Sequence, residues 1–118
     1  MAGRYDITIK QGDTYESKPI IWEVGGEPVD ITNKTPKCQM RTEPNSGVIA
    51  EIEVVKINSL AGAFGFKMAK VVSATIPTNG KTPFESTDYV YDLEWTDTDT
   101  ITNTLLDGLV HVLPGVTK

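Results

Sequence analysis

With 118 residues, 39% hydrophobic and 23% charged, the chain has the size and composition of one soluble globular domain able to bury its own core. Sixteen carboxylates against eleven Lys and Arg leave a formal charge of −5, and the basic residues are scattered without a run, which argues against nucleic acid as a partner. No window approaches the ~20 apolar residues of a membrane-spanning helix, and a single cysteine, Cys38, excludes an internal disulfide and a Cys-rich metal site.

Met1-Ala2-Gly3-Arg4 runs straight into an alternating stretch without the apolar region of a secretory leader, so no export is expected. Tyr5, Ile7 and Ile9 share one face of that first strand, with Asp6, Thr8 and Lys10 on the other. Gln11-Gly12-Asp13-Thr14 then supplies turn chemistry, and the chain is expected to round a corner there. Ile20, Trp22 and Val24 form the next strand, where Pro19 predicts an edge or a bulge. Gly25-Gly26 signals a hairpin before Val29 and Ile31 resume the apolar phase. A short strand around Cys38 and Met40, with the thiol as a small core hydrophobe, ends in the loop Glu43-Pro44-Asn45-Ser46-Gly47.

Residues 48–57 place Val48, Ala50, Ile52 and Val54 on one face, and Phe64, Phe66 and Met68 alternate on an antiparallel neighbour. Residues 68–76 allow a helix of a turn or two at most. Pro77 to Asp88 is a loop long enough to be functional or mobile. In "YVYDLEW", Tyr89, Tyr91, Leu93 and Trp95 face one way. The turn Thr96 to Thr100 leads to a last strand pair, Ile101–Leu106 and Leu109–Leu113, with Gly108 as a bulge. Seven or eight short strands with little or no helix predict an all-β, antiparallel sandwich over residues 1–118, with Trp22, Phe64, Phe66 and Trp95 in its core.

Motifs for catalysis are missing. One histidine, His111, cannot build a two-histidine metal site, and its strand phase with Leu109 and Leu113 suits a structural or interface role. There is no nucleophile elbow, P-loop or dinucleotide fingerprint, so neither an enzyme nor a cofactor is expected. Asp97 and Asp99 have a spacing that could share a hard cation, but without the Gly and distal Glu of a calcium loop they read as a turn. Asn33-Lys34-Thr35 matches a glycosylation acceptor but lacks the secretion context.

Three stretches, "YDITIKQGDTY" (5–15), "GGEPVDIT" (25–32) and "YVYDLEWTDTDTITNTLLDGLVHVLPGVTK" (89–118), resemble small structural proteins of tailed bacteriophages and prophages. The start of the chain is similar to the N-terminal attachment domain of upper baseplate proteins of lactococcal phages, with an apolar strand, a Q-G-D-T corner and a G-x-P-V-D-hydrophobic-T step. Ile31 stands where that family usually has leucine, Asp107-Gly108 keeps its acidic-glycine pair, and "PTNGKTPFESTD" has no counterpart in it. The resemblance implies an immunoglobulin-like β-sandwich, made in the bacterial host cytoplasm and residing in the virion. There it would contact other virion proteins within a symmetric homo-oligomeric assembly, without nucleic acid or membrane. Contact is expected through the tip loops 77–88 and 97–100 and the edge near Pro19, naming Pro19, Lys81, Phe84, Asp97 and Asp99. A capsid decoration or head-fibre protein is the alternative placement. A carbohydrate-binding module stacking sugars on Tyr15, Phe84 and Tyr89 is the alternative class.

Overall fold

Alternation is strongest in "YVYDLEW", and there the chain forms its longest strand pair. The computed structural model describes residues 3–116. In chain order the strands are β1 (Gly3–Arg4), β2 (Ile7–Lys10), β3 (Tyr15–Glu16), β4 (Ile20–Ile21), β5 (Glu23–Val24), β6 (Glu27–Pro28), β7 (Thr35–Arg41), β8 (Val48–Glu51), β9 (Glu53–Asn58), β10 (Ala63–Met68), β11 (Thr87–Thr96) and β12 (Thr102–Leu113). A 3-10 turn (Ser59–Ala61) precedes β10, and α1 (Lys70–Ser73), the single turn the sequence allows, follows it.

The larger sheet runs β8–β7–β11–β12, with β1 and β2 both laid along β12; the smaller runs β9–β10–β3/β4, and β5–β6 is a separate hairpin. Counting the two interrupted strands once each gives eight strand positions in two layers, the order of an immunoglobulin-like sandwich. The expectation of a wholly antiparallel sandwich needs one amendment. The first strand runs parallel to β12, pairing Gly3 with Leu106 and Ile7 with Val110. Such a pairing needs a long connection between its strands, and here nearly the whole chain serves as one.

Tyr89, Tyr91, Leu93 and Trp95 of β11 and Phe64, Phe66 and Met68 of β10 are buried between the layers with Ile7, Ile9, Cys38, Met40, Val110 and Val112. Burying each large side chain is worth about 1.5–3 kcal/mol. Their rings meet edge-on: Phe64 lies 5.4 Å from Trp95, and Phe66 lies 5.8 Å from Tyr91. Trp22 extends the chain of rings, 6.0 Å from Trp95, with Lys34 Nζ 5.6 Å above its face. Among the described residues, the Trp95 Nε1–H is buried without a hydrogen-bond acceptor.

Residues 48–57 do not form one strand. β8 pairs with β7 in the larger sheet and β9 with β10 in the smaller, so the chain changes layers at Ile52, which is buried between them. The nominated last strand pair is likewise one continuous strand, β12, and Gly108 is not its bulge. The irregularity against β11 falls between Leu93 and Glu94, at the height of Leu105, whereas Gly108 sits in register opposite Tyr91.

Gly108 answers a different need. Between β1 and β2 the chain kinks at Tyr5-Asp6. Tyr91 Oη donates to the Tyr5 carbonyl, and Asp6 Oδ1 takes the Leu109 N–H at 3.0 Å in its place on the ladder. A Cβ on Gly108 would stand 2.5 Å from the Tyr5 oxygen and 2.8 Å from Asp6 Oδ1. Gly108→Ala is therefore expected to lower the unfolding free energy by about 1–3 kcal/mol in urea titrations. Gly47→Ala, with nothing within 4 Å of its Cβ position, should leave it unchanged.

The Gln11-Gly12-Asp13 corner is confirmed and does more than turn. Gln11 Nε2 donates to the Ile76 carbonyl at 2.9 Å, Gln11 Oε1 accepts the Gly115 N–H at 3.2 Å, and the Ser73 hydroxyl donates to the Asp13 carbonyl at 2.7 Å while accepting the Gly12 N–H. Ser73 is the one fully buried polar side chain among the described residues. It ties the end of α1 to the corner.

The Arg4 side chain, hydrogen-bonded to Asp6 at 3.2 Å, holds the Asp6 carboxyl below its ordinary range, and the Leu109 N–H adds to the effect. A carboxylate whose folded pKa is depressed adds stability above its unfolded pKa of about 4, and that stability is lost as pH falls through the folded value. Thermal unfolding from pH 7 to pH 3 should therefore show a steeper acid-side fall in Tm for the wild type than for Asp6→Asn, which keeps an acceptor for Leu109 but no charge.

Candidate interaction surface

The direction of β11 decides where the nominated residues go. Loop 77–86 enters β11 at Thr87, and the loop beyond Thr96 leaves it ten residues later, so Lys81 and Phe84 lie at the opposite end of the sandwich from Asp97 and Asp99. Pro19 lies at neither end. The five residues therefore do not form one site.

Pro19 is exposed in the interruption between β3 and β4. Lys67 pairs with Glu16 and Phe64 with Ile20, which leaves one extra residue on the outer strand. Ser17 bridges the gap, its N–H donating to the Phe66 carbonyl and its hydroxyl accepting the Phe66 N–H at 2.8 Å. This is the edge bulge that Pro19 predicts, and it protects the edge from strand addition.

Loop 77–86 braces itself. Thr87 Oγ1 accepts the Asn79 N–H and donates to Asn79 Oδ1 at 2.9 Å, the Glu85 N–H returns to the Thr82 carbonyl, and Tyr89 Oη donates to the Pro77 carbonyl. That last bond, from the start of β11 back to its preceding loop, is the geometry of a tyrosine corner. Phe84 is left 88% exposed at the apex. Of the three proposed sugar-stacking aromatics only Phe84 is open: Tyr89 is buried and Tyr15 is half-buried against the core, its phenol pushed up to about 12 by burial and the neighbouring Tyr5. One ring makes no stacking platform.

Asp97 is occupied by its own turn. Its Oδ1 accepts the Asp99 N–H at 2.9 Å and the Ile101 N–H at 3.0 Å, and Thr100 closes the turn in the left-handed region at φ 64°. Among the described residues no three His, Cys, Asp or Glu side chains are grouped to hold a metal ion. His111 stands on the outer face of the larger sheet, 2.8 Å from Asp88, which also accepts from the Ser86 hydroxyl. His111 first, then Ser86, holds the Asp88 carboxyl below its ordinary range. The pair bridges β11 and β12. The Cys38 thiol is buried, and burial pushes it up, away from reactivity.

On the same outer face lies an open concavity of about 770 Å³ between the loop at Pro44-Asn45 and β12. Asp92 and Asp107 are cross-strand neighbours of β11 and β12 in its lining, while Arg4 and Arg41, which also line it, are turned to Asp6 and to Gln39 and Ser46. It holds no exposed aromatic and no catalytic grouping.

The outer face of the smaller sheet differs, and sequence reasoning missed it. Ile21 is 58% exposed opposite Ala63, while Ile57, 54% exposed, lies over Gly65 beside Val55, 40% exposed. These three apolar side chains flank β10 on both sides, where a sandwich exposed to water would carry polar residues. The signal was present in the sequence: Val54-Val55 and Ile20-Ile21 each put an apolar residue on both phases of their strand. Below the patch, Lys67 pairs with Glu16 on one side and Glu53 on the other.

Because Asp97 holds two backbone N–H groups, Asp97→Ala is expected to destabilise the β11–β12 turn by about 1 kcal/mol in thermal unfolding. Asp97→Asn, which keeps the acceptor, should recover most of the loss, and millimolar calcium should leave the wild-type Tm unmoved.

No protein-family model matches the chain, and no curated protein sequence matches it either. Among solved structures, a family 123 glycoside hydrolase from Clostridium perfringens is similar over 98% of this chain, at 14% identity and a TM-score of 0.38. The matched part is 24% of that hydrolase chain, so this chain spans about a quarter of its length.

Proposed function

We propose that this chain is a non-catalytic structural protein of a tailed-bacteriophage virion, a β-sandwich adaptor or attachment module that joins other virion proteins in the tail or baseplate region. The observation that carries the assembly part is the apolar outer face of the smaller sheet, Ile21, Val55 and Ile57 around the side-chain-free Gly65. A partner covering these side chains would gain about 25 cal/mol for each Å² of apolar surface removed from water. Rim charges at Glu16, Lys67 and Glu53 would set the register of such a contact.

The virion part rests on the resemblance, and the three stretches behind it are frame-building ones. Residues 5–15 hold the kink and the corner, 25–32 the hairpin and its return, and 89–118 the long strand pair. The groups most open to chemical interpretation, Asp97, His111 and Cys38, serve the turn, a cross-strand bridge and the core respectively. In this reading the protein needs no cofactor and no metal.

Mass spectrometry of separated phage heads and tails tests the placement. Finding the chain with tails supports it, finding it with heads moves it to capsid decoration, and absence from both overturns the virion reading. In pull-downs of tail proteins, Val55→Asp with Ile57→Asp should cut recovery at least tenfold while circular dichroism stays that of the wild type.

A further inference from the structure

Loop 77–86 carries the dipeptide Asn79-Gly80 near its base. Asparagine is a chemically labile residue, and the backbone nitrogen that follows it reaches the carboxamide most easily when it belongs to glycine, which has no Cβ to shield it. The chain has five asparagines, at positions 33, 45, 58, 79 and 103, and the fold treats them differently. After Asn33 and Asn45, the Lys34 N–H donates to the Ile31 carbonyl at 3.1 Å and the Ser46 N–H to the Glu43 carbonyl at 3.0 Å. The Asn58 side chain accepts the Ala61 N–H as the cap of the 3-10 turn, and Asn103 is held within β12 opposite Trp95. Each of these four is followed by a residue with a side chain.

Asn79 is exposed and precedes glycine. The N–H groups on either side of Gly80 are bonded, Asn79 to Thr87 Oγ1 and Lys81 to Glu85 Oε2, whereas the Gly80 N–H has no partner among the described residues. Packing also demands glycine there, since a Cβ on Gly80 would stand 2.3 Å from the Glu85 carbonyl oxygen. A side chain that would screen the nitrogen therefore has no room.

Thr87 holds the reactive group back. Its hydroxyl accepts the Asn79 N–H at 3.0 Å and donates to Asn79 Oδ1 at 2.9 Å. One oxygen thus gathers the carboxamide against the residue's own N–H, on the side of Asn79 away from the Gly80 nitrogen.

We propose that Asn79 is a site of spontaneous deamidation, and that the Thr87 hydroxyl sets its rate by holding the carboxamide out of reach. When that contact opens, the Gly80 nitrogen gives its proton to water and attacks Asn79 Cγ. The new C–N bond closes a succinimide ring, and the Nδ2 amine takes up a proton and leaves as ammonia. Water then opens the ring at either carbonyl, leaving aspartate or, where the main chain now runs through Cγ, isoaspartate. One water is consumed and one ammonia released. Isoaspartate lengthens the main chain by a carbon, so the double bond to Thr87 is lost and the loop that presents Phe84 is loosened at its base. The inference is independent of the virion reading.

Peptide mapping by mass spectrometry of the folded chain, aged in mildly alkaline buffer, tests this. The peptide carrying Asn79 should gain the mass difference between an amide and an acid before the other four asparagines do, and faster as pH rises, because Gly80 must lose its amide proton to attack. Thr87→Val should speed the conversion about fivefold, the effect of losing a hydrogen bond worth about 1 kcal/mol, and Thr87→Ser should return it to the wild-type rate. Wild type unfolded in urea should also react faster than the folded chain. Chymotrypsin should cut after Phe84 sooner in the isoaspartate fraction than in unmodified protein. First reaction at another asparagine overturns the proposed site. Equal rates for folded and unfolded wild type, or for folded Thr87→Val and wild type, overturn the role of Thr87, and equal chymotrypsin cleavage overturns the loosening of the loop.

Discussion

A run of edge-to-face and tilted aromatic contacts, Tyr5 to Phe66 to Phe64 to Trp95 to Trp22, ties together the start of the chain, the centre of the smaller sheet and the centre of the larger. Such pairs are worth about 0.5–1.5 kcal/mol each beyond the area they bury. Their geometry also sets the spacing of the layers. Trp22 and Tyr91 then use their positions to organise backbone, the Trp22 carbonyl accepting the Val29 N–H at 2.9 Å to close the hairpin base and the Tyr91 hydroxyl fixing the kink at Tyr5. Much of the loop geometry follows from where these rings must sit.

What the chain reveals in one dimension is the part governed by local periodicity. The inward sets of β2, β10 and β11, the corner at Gly12, the Gly25-Gly26 hairpin and the brevity of α1 all read correctly, because period-two patterning and turn chemistry are written within a few residues. The misplaced features depend on distant partners. Gly108 looks like a bulge until the Tyr5 carbonyl is found against it, 103 residues away. The run 48–57 looks like one strand because its alternation passes through Ile52 unbroken, and the change of layers there is visible only once β7 and β10 are in place.

The candidate surface was less legible than the fold, for a related reason. Loop composition and exposed phase point to Pro19, Lys81, Phe84, Asp97 and Asp99 individually, and they say nothing about whether loops share an end. Strand parity settles that, and it separates them. The apolar patch around Gly65 needed the opposite step, combining residues from three strands that are each unremarkable alone. Tyr89 shows the same limit in reverse. Its phase with Tyr91 points inward, and only the phenol's bond to the Pro77 carbonyl shows why a ring at a loop boundary is buried.

The parallel arrangement of the first strand on β12 has a mechanical meaning. The chain enters the described region at Gly3, beside Leu106, and leaves it past Leu113, so tension applied through the two ends pulls β1 and β2 one way and β12 the other. The hydrogen bonds between them, from the Tyr5 N–H to the Asp107 carbonyl through to the Gln11 N–H on the Leu113 carbonyl, are then loaded in shear, all together and not peeled one after another. Asp6 adds a side-chain rivet to Leu109 in the middle of that seam. A module clamped in this way transmits force along its length and keeps its core closed under load.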